Sequence, residues 1–130
     1  ASQTTTPVTE TVSPSPSGAL DTTFGTGGIV TTPVGNGADY ANALVIQSDG
    51  NILAAGKSLN GSHYDFTLVR YNTNGSLDTT FGTGGIVTTP IGSYDSYAIA
   101  FGIQSDGNIL AAGSSDNGSN INFALVSYLP

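Results

Sequence analysis

The eleven residues from Ile46 to Gly56, IQSDGNILAAG, recur without change from Ile103 to Gly113. Each copy places Asp-Gly between two apolar runs. That is the strongest short-range signal for a β-hairpin, because both residue types tolerate the positive φ of a tight, correctly twisted turn. Asp49-Gly50 and Asp106-Gly107 are therefore predicted hairpin turns. The arms Tyr40 to Gln47 and Asn51 to Ser58, and their counterparts Tyr97 to Gln104 and Asn108 to Ser115, carry mostly apolar or small side chains on both strand faces. Simple alternation puts Tyr40, Leu44 and Ile46 on one face and Ala41, Ala43 and Val45 on the other. A sheet with one wet face would show polar residues on that side, so the pattern predicts sheets covered on both faces.

The repeat keeps one register throughout: Leu77 follows Leu20, Pro90 follows Pro33 and Asp106 follows Asp49, each by 57 positions. Gly18 to Thr73 aligned on Gly75 to Pro130 gives 38 identities in 56 positions without a gap. A period of this length points to a propeller, a solenoid or an array. The chain divides into a Thr/Ser/Pro-rich segment over 1–17, a first β repeat over 18–74 and a second over 75–130. Within each repeat four strands are predicted: Ile29 to Val34, Tyr40 to Gln47, Asn51 to Ser58 and Asp65 to Tyr71, with counterparts 57 residues on. No convincing helix is predicted. In the N-terminal segment, Thr4-Thr5-Thr6-Pro7-Val8 is like Val30-Thr31-Thr32-Pro33-Val34, so this stretch is read either as adding to a sheet edge as that strand does or as a loosely ordered arm.

Charge is scarce and one-sided. Only Lys57 and Arg70 are basic among 130 residues with a formal net charge of -7, which argues against nucleic acid and anionic membranes as partners. Cysteine, methionine and tryptophan are absent, removing disulfides and thiol chemistry. No apolar run is long enough to span a bilayer, and no basic start precedes an apolar segment, so neither membrane insertion nor an uncleaved signal peptide is expected. Abundant Thr, Ser, Asn and Gly suit a secreted or cell-surface β protein. Asn60, Asn74 and Asn117 head Asn-Gly-Ser sequons that are weak candidates for glycan acceptors; the same residues are ordinary turn formers.

The run Gly75 to Thr89, GSLDTTFGTGGIVTT, followed by AIAFGIQSDGNILAAG from Ala98 to Gly113, resembles the delta-sixty repeat, and both repeats carry the likeness. That resemblance implies bacterial, surface or secreted β-propeller blades. Where the family has Pro-Asp-Gly-Lys at the hairpin this chain has Ser-Asp-Gly-Asn, and where members carry many repeats this chain carries two. It implies a fold and says little about activity.

Chemistry finds few footholds. The single histidine, His63, sits in an Asn-Gly-Ser-His turn and has Asn120 as its counterpart, so a solvated turn residue is the reading. Asp21, Asp78, Asp49 and Asp106 are explained as turn formers. The Gly-rich stretch from Leu20 to Gly28 lacks the helix terminus and lysine of a phosphate cradle. Asn72 to Asp78 offers oxygen ligands that calcium could use, without the acidic richness of a dedicated site. No catalytic residue, metal ligand or cofactor is therefore expected, and the protein is read as a non-enzyme.

The expected fold is all-β: two four-stranded antiparallel propeller-blade-like repeats, completed by oligomerisation or strand exchange, since propellers close with about four blades or more. Ile86 to Ile91 is expected to complete the first hairpin's sheet. Ile29 to Val34 is then left over, so that Ile29, Val30 and Val34, together with Thr4, Thr5, Thr6, Pro7 and Val8, are the candidate assembly residues. The functional expectation is a secreted structural protein that forms a homo-oligomer or polymer by strand exchange, such as an extracellular filament. The alternative is a lectin-like oligomeric propeller, with Tyr40/Tyr97, Tyr64 or Tyr71/Tyr128 stacking on carbohydrate. A two-sheet sandwich monomer needs no partner but leaves two apolar faces unexplained.

Overall fold

The structure, a computed structural model, describes residues 16–130. The candidate assembly residues Thr4 to Val8 lie outside them. Seven strands follow in order: β1 Asp39–Ile46, β2 Ile52–Asn60, β3 His63–Tyr71, β4 Ile86–Thr89, β5 Ser96–Ile103, β6 Ile109–Asp116 and β7 Ile121–Tyr128. They form two antiparallel sheets, a four-stranded one in the order β1-β2-β3-β4 and a three-stranded one in the order β5-β6-β7. There is no helix among the described residues.

The sheets are not two equal four-stranded units. Ile86 to Thr89 lies in the second repeat of the sequence, yet it pairs with β3, setting Phe66 against Thr89 and Leu68 against Val87. Among the described residues the equivalent Ile29 to Val34 forms no strand, and its pairing there is a local bridge between Thr26 and Ile29. The reason is connectivity. The long Gly-rich turn after β3 carries the chain back along β3, so each fourth strand joins the sheet before its own hairpin, and the first such segment has no preceding sheet to join.

The two hairpins form where the Asp-Gly pairs predict them, but the turn differs. The Gly50 amide donates to the Gln47 carbonyl at 2.9 Å and the Gln47 amide to Asn51 at 2.8 Å. Gly50 has φ of 91°, whereas Asp49 does not adopt positive φ. This is the three-residue hairpin loop, with a type I turn closed by a left-handed glycine, and not the two-residue mirror-image turn. Asp49 contributes through its side chain, with Oδ1 accepting from the Asn51 amide at 3.0 Å.

A second difference is a β-bulge in β1. Ala41 faces Gly56 and Ala43 faces Ala55, so Asn42 is an extra residue. A bulge reverses the alternation beyond it, which places Tyr40 on the face of Ala43 and Val45 and not with Leu44 and Ile46. β5 repeats the bulge at Ile99. Close approach explains the glycine across from each: a side chain at Gly56 would strike the Tyr40 carbonyl, and one at Gly113 the Tyr97 carbonyl.

The sheets pack face to face. Leu53, Ala55, Phe66 and Leu68 of the first sheet and Ala98, Ile109 and Ala111 of the second form one buried cluster with Phe81. Only one face of each sheet is covered this way. Leu44 and Ile46 on the first sheet, and Phe123 and Leu125 on the second, remain exposed. Phe66→Ala is expected to destabilise the dilute protein by about 3–5 kcal/mol, whereas Leu129→Ala, at a position 79% exposed, should change stability by less than about 0.5 kcal/mol; urea unfolding followed by circular dichroism distinguishes the two.

Candidate functional site

The feature with clearest functional content is a pair of unmatched elements. β7 pairs with β6 alone among the described residues, so its outer edge is open. At the opposite end of the molecule Val30 to Val34 lies across the outer face of the first sheet. There it forms one wall of a groove of about 520 Å³ with Ala54, Val69 and Tyr71. Thr32 and Tyr71 share a hydroxyl hydrogen bond of 2.6 Å. The same bond, at 2.8 Å, joins Thr89 of β4 to Tyr128 of β7. The leftover segment thus sits against the first sheet as β4 sits against the second. Of the sequence-predicted assembly residues, Ile29 is exposed while Val30 and Val34 are half-buried.

The tyrosines singled out as sugar platforms contact the protein's own groups, and Tyr40 stays 52% exposed. The Lys57 ammonium stands 5.1 Å from the Tyr40 ring centre, 4.5 Å from Tyr64 and 5.1 Å from Tyr97. Lys57 is on β2 and Tyr97 on β5, so this cation–π cluster spans the joint between the sheets. Burial, with Tyr40 and Asp95 close by, pushes the Tyr64 hydroxyl pKa up. Two polar bonds reinforce the joint: Asp95 Oδ1 accepts from the Tyr64 amide at 2.8 Å, and the bulged Asn42 donates through Nδ2 to the Ala98 carbonyl at 2.8 Å. Sequence reading missed all three contacts, because a bulge decides which way these side chains point. Tyr71 and Tyr128 are engaged by Thr32 and Thr89 as above, and burial raises the Tyr128 pKa.

His63 is the first residue of β3 and not a solvated turn residue; its Nε2 lies 3.5 Å from Oδ1 of the buried Asp65. Asn60 donates to the other Asp65 oxygen at 3.2 Å. In the loop weighed for calcium, both Asp78 carboxylate oxygens have protein partners. Asp78 Oδ1 accepts from the Thr80 hydroxyl at 2.6 Å and its amide at 3.1 Å, and Oδ2 from Arg70 Nε at 2.9 Å and Asn51 Nδ2 at 3.1 Å. These bonds, the Thr80 hydroxyl first and then its amide and Arg70, lower the Asp78 pKa. Asp21 repeats the turn with Thr23 and is lowered likewise. Among the described residues no three His, Cys, Asp or Glu side chains are grouped to hold a metal. Asn60, the last residue of β2, and the loop residues Asn74 and Asn117 are exposed; Asn74 Oδ1 accepts from the Ser76 amide and hydroxyl, and Asn117 Oδ1 from the amides of Ser119 and Asn120. No helix among the described residues is long and apolar enough to cross a membrane.

Residues 47–81 match a family model described as a domain of unknown function (DUF5122) beta-propeller. The matched stretch runs from the first hairpin turn into the Gly-rich turn, covering β2, β3 and the start of the connection to β4. The chain therefore carries a β-propeller-like repeat, and the two antiparallel sheets are consistent with propeller blades. No curated protein and no solved structure matches it.

Two outcomes follow from this chemistry. A carboxylate held below its ordinary pKa stabilises the fold at neutral pH, and that contribution is lost as the pH falls through its native titration, below about 4. Asp78→Asn is therefore expected to lower the melting temperature clearly at pH 7 and little at pH 2, as thermal denaturation at the two pH values would read. Lys57→Met keeps the apolar stem without the charge; it is expected to reduce stability by about 1 kcal/mol, measured by urea titration.

Proposed function

We propose that the protein is a non-enzymatic structural subunit that self-assembles by strand exchange, with Ile29 to Val34 of one copy completing the three-stranded sheet of the next. One observation carries this reading: β4 shows how such a segment pairs, while, among the described residues, β7 offers the edge and Ile29 to Val34 joins no sheet. Strand addition supplies main-chain hydrogen bonds and thereby protects an edge that would otherwise invite uncontrolled pairing. Because donor and acceptor are different surfaces, the contact is head-to-tail and yields a ring if the rotation closes and a filament if it does not. Low charge and richness in Thr, Ser, Asn and Gly support a secreted or cell-surface location for such an assembly. The likeness of both halves to delta-sixty repeats supports reading the chain as two copies of one blade unit, with the missing blades supplied by other subunits.

Shifting the β3–β4 register by 57 residues sets Phe123 against Thr32, Ala124 against Thr31, Leu125 against Val30 and Val126 against Ile29. The chain has no cysteine, so a Thr31→Cys, Ala124→Cys double variant is a clean probe of this pairing. Cα atoms facing each other in adjacent strands fall in the range a disulfide spans. Under mild oxidation the double variant is expected to run as a ladder of covalent oligomers on non-reducing gels, each single variant giving at most dimers. Only monomer and dimer from the double variant would refute strand exchange in this register.

A further inference from the structure

The internal joint between the two sheets specifies a second, intermolecular one. The faces left bare are repeat copies of the faces already buried. On the second sheet, Phe123 is 102% exposed and Leu125 73%, whereas Phe66 and Leu68, 57 positions earlier, are 0% exposed at the internal joint. On the first sheet, Ala41 and Leu44 are exposed, whereas their counterparts Ala98 and Phe101 pack into the joint. Each bare face thus has the shape and polarity of a surface known to be covered, and the surface that covers it is present at the other end of the same molecule. Resting on the strand-exchange reading above, we infer that a second copy of this chain docks its first sheet, through the face of Ala41 and Leu44, onto the face of Phe123 and Leu125, repeating the internal joint. The Thr32–Tyr71 bond already holds the exchanging segment beside that first-sheet face, so one rigid placement satisfies both face and edge.

The two joints differ in one respect that makes the intermolecular one recognisable. Three polar contacts of the internal joint become apolar or uncharged, while the Thr89–Tyr128 hydroxyl bond keeps its counterpart in Thr32–Tyr71. Lys57 beside Tyr97 becomes Ser114 beside the incoming Tyr40; Asp95 under the Tyr64 amide becomes Ala38 under that of Ile121; and the bulged Asn42 reaching Ala98 becomes the bulged Ile99 reaching Ala41. The end-to-end joint is therefore held by apolar contact, main-chain pairing and the Thr32–Tyr71 hydroxyl bond. An Ile99→Asn change should be accommodated, because the amide it introduces meets the Ala41 carbonyl of the incoming copy as Asn42 meets Ala98.

Sedimentation velocity on the full chain across a micromolar concentration series tests this. Phe123→Ser is expected to weaken association about 30-fold with an unchanged far-ultraviolet spectrum, since Phe123 touches solvent in the single chain. Ala41→Asp should weaken it comparably from the opposite face, and Ile99→Asn should associate at least as tightly as the parent. An equimolar mixture of Phe123→Ser and Ala41→Asp chains should form heterodimers and nothing longer, because each retains the one face the other needs. Parent-like association of Phe123→Ser, a mixture that stays monomeric, or a loss with Ile99→Asn as large as with Phe123→Ser would each overturn the inference. The disulfide ladder separates the two ideas: a ladder together with parent-like association of Phe123→Ser keeps strand exchange and refutes face docking, whereas loss of the ladder alone refutes the exchange.

Discussion

Everything in this fold depends on sheets that are apolar on both faces. Such a sheet cannot lie at a protein surface without leaving side chains like Leu44 or Phe123 in water, so each demands a neighbour on either side. Two sheets meet that demand once, at the cluster of Leu53, Phe66, Leu68, Ile109 and Ala111, and leave it unmet twice. Burial of apolar area is the dominant favourable term in association as in folding. The same chemistry that stabilises the internal joint is therefore available at both ends of the molecule.

Connectivity adds a second constraint that points the same way. The turn after β3 returns the chain so that a strand of one repeat completes the sheet of the repeat before it. Sheets linked in this manner share covalent and main-chain bonds at every joint, and the series has a donor segment at one end and an acceptor edge at the other. The bare face of the first sheet lies beside the donor segment, and that of the second sheet belongs with the β7 edge that is open among the described residues. In the assembly proposed above, docking and strand pairing would be one event, with the Thr32–Tyr71 contact as the local counterpart of Thr89–Tyr128.

The joint also shows how near-identical repeats become distinguishable. Between repeats that share 38 of 56 positions, the changes at Lys57, Asn42 and Asp95 cluster where the two sheets meet. A cation among three tyrosine rings and two hydrogen bonds mark the internal joint with polar specificity. The ends keep apolar versions of the same surface. Around the Gly-rich turns, by contrast, Asp21 and Asp78 do equivalent work through Thr23 and Thr80, and there the repeats stay alike because backbone amides need the same acceptor in each.

By itself the sequence determined the all-β character, the hairpins at Asp49-Gly50 and Asp106-Gly107, the 57-residue unit and the two-faced apolarity of the sheets. These follow from turn chemistry and side-chain period, which act over a few residues. Only the tertiary structure decided that Ile29 to Val34 is not a strand, since strand formation needs a partner edge and no local preference supplies one. It alone reversed the facing of Tyr40, because a bulge at Asn42 is set by the approach of Gly56 to the Tyr40 carbonyl across the sheet. It also turned the tyrosines from free platforms into partners of Lys57 and the threonine hydroxyls. Those contacts join residues far apart in the chain, and which side chains meet there depends on how two sheets stack, a property that no period or motif within one strand encodes.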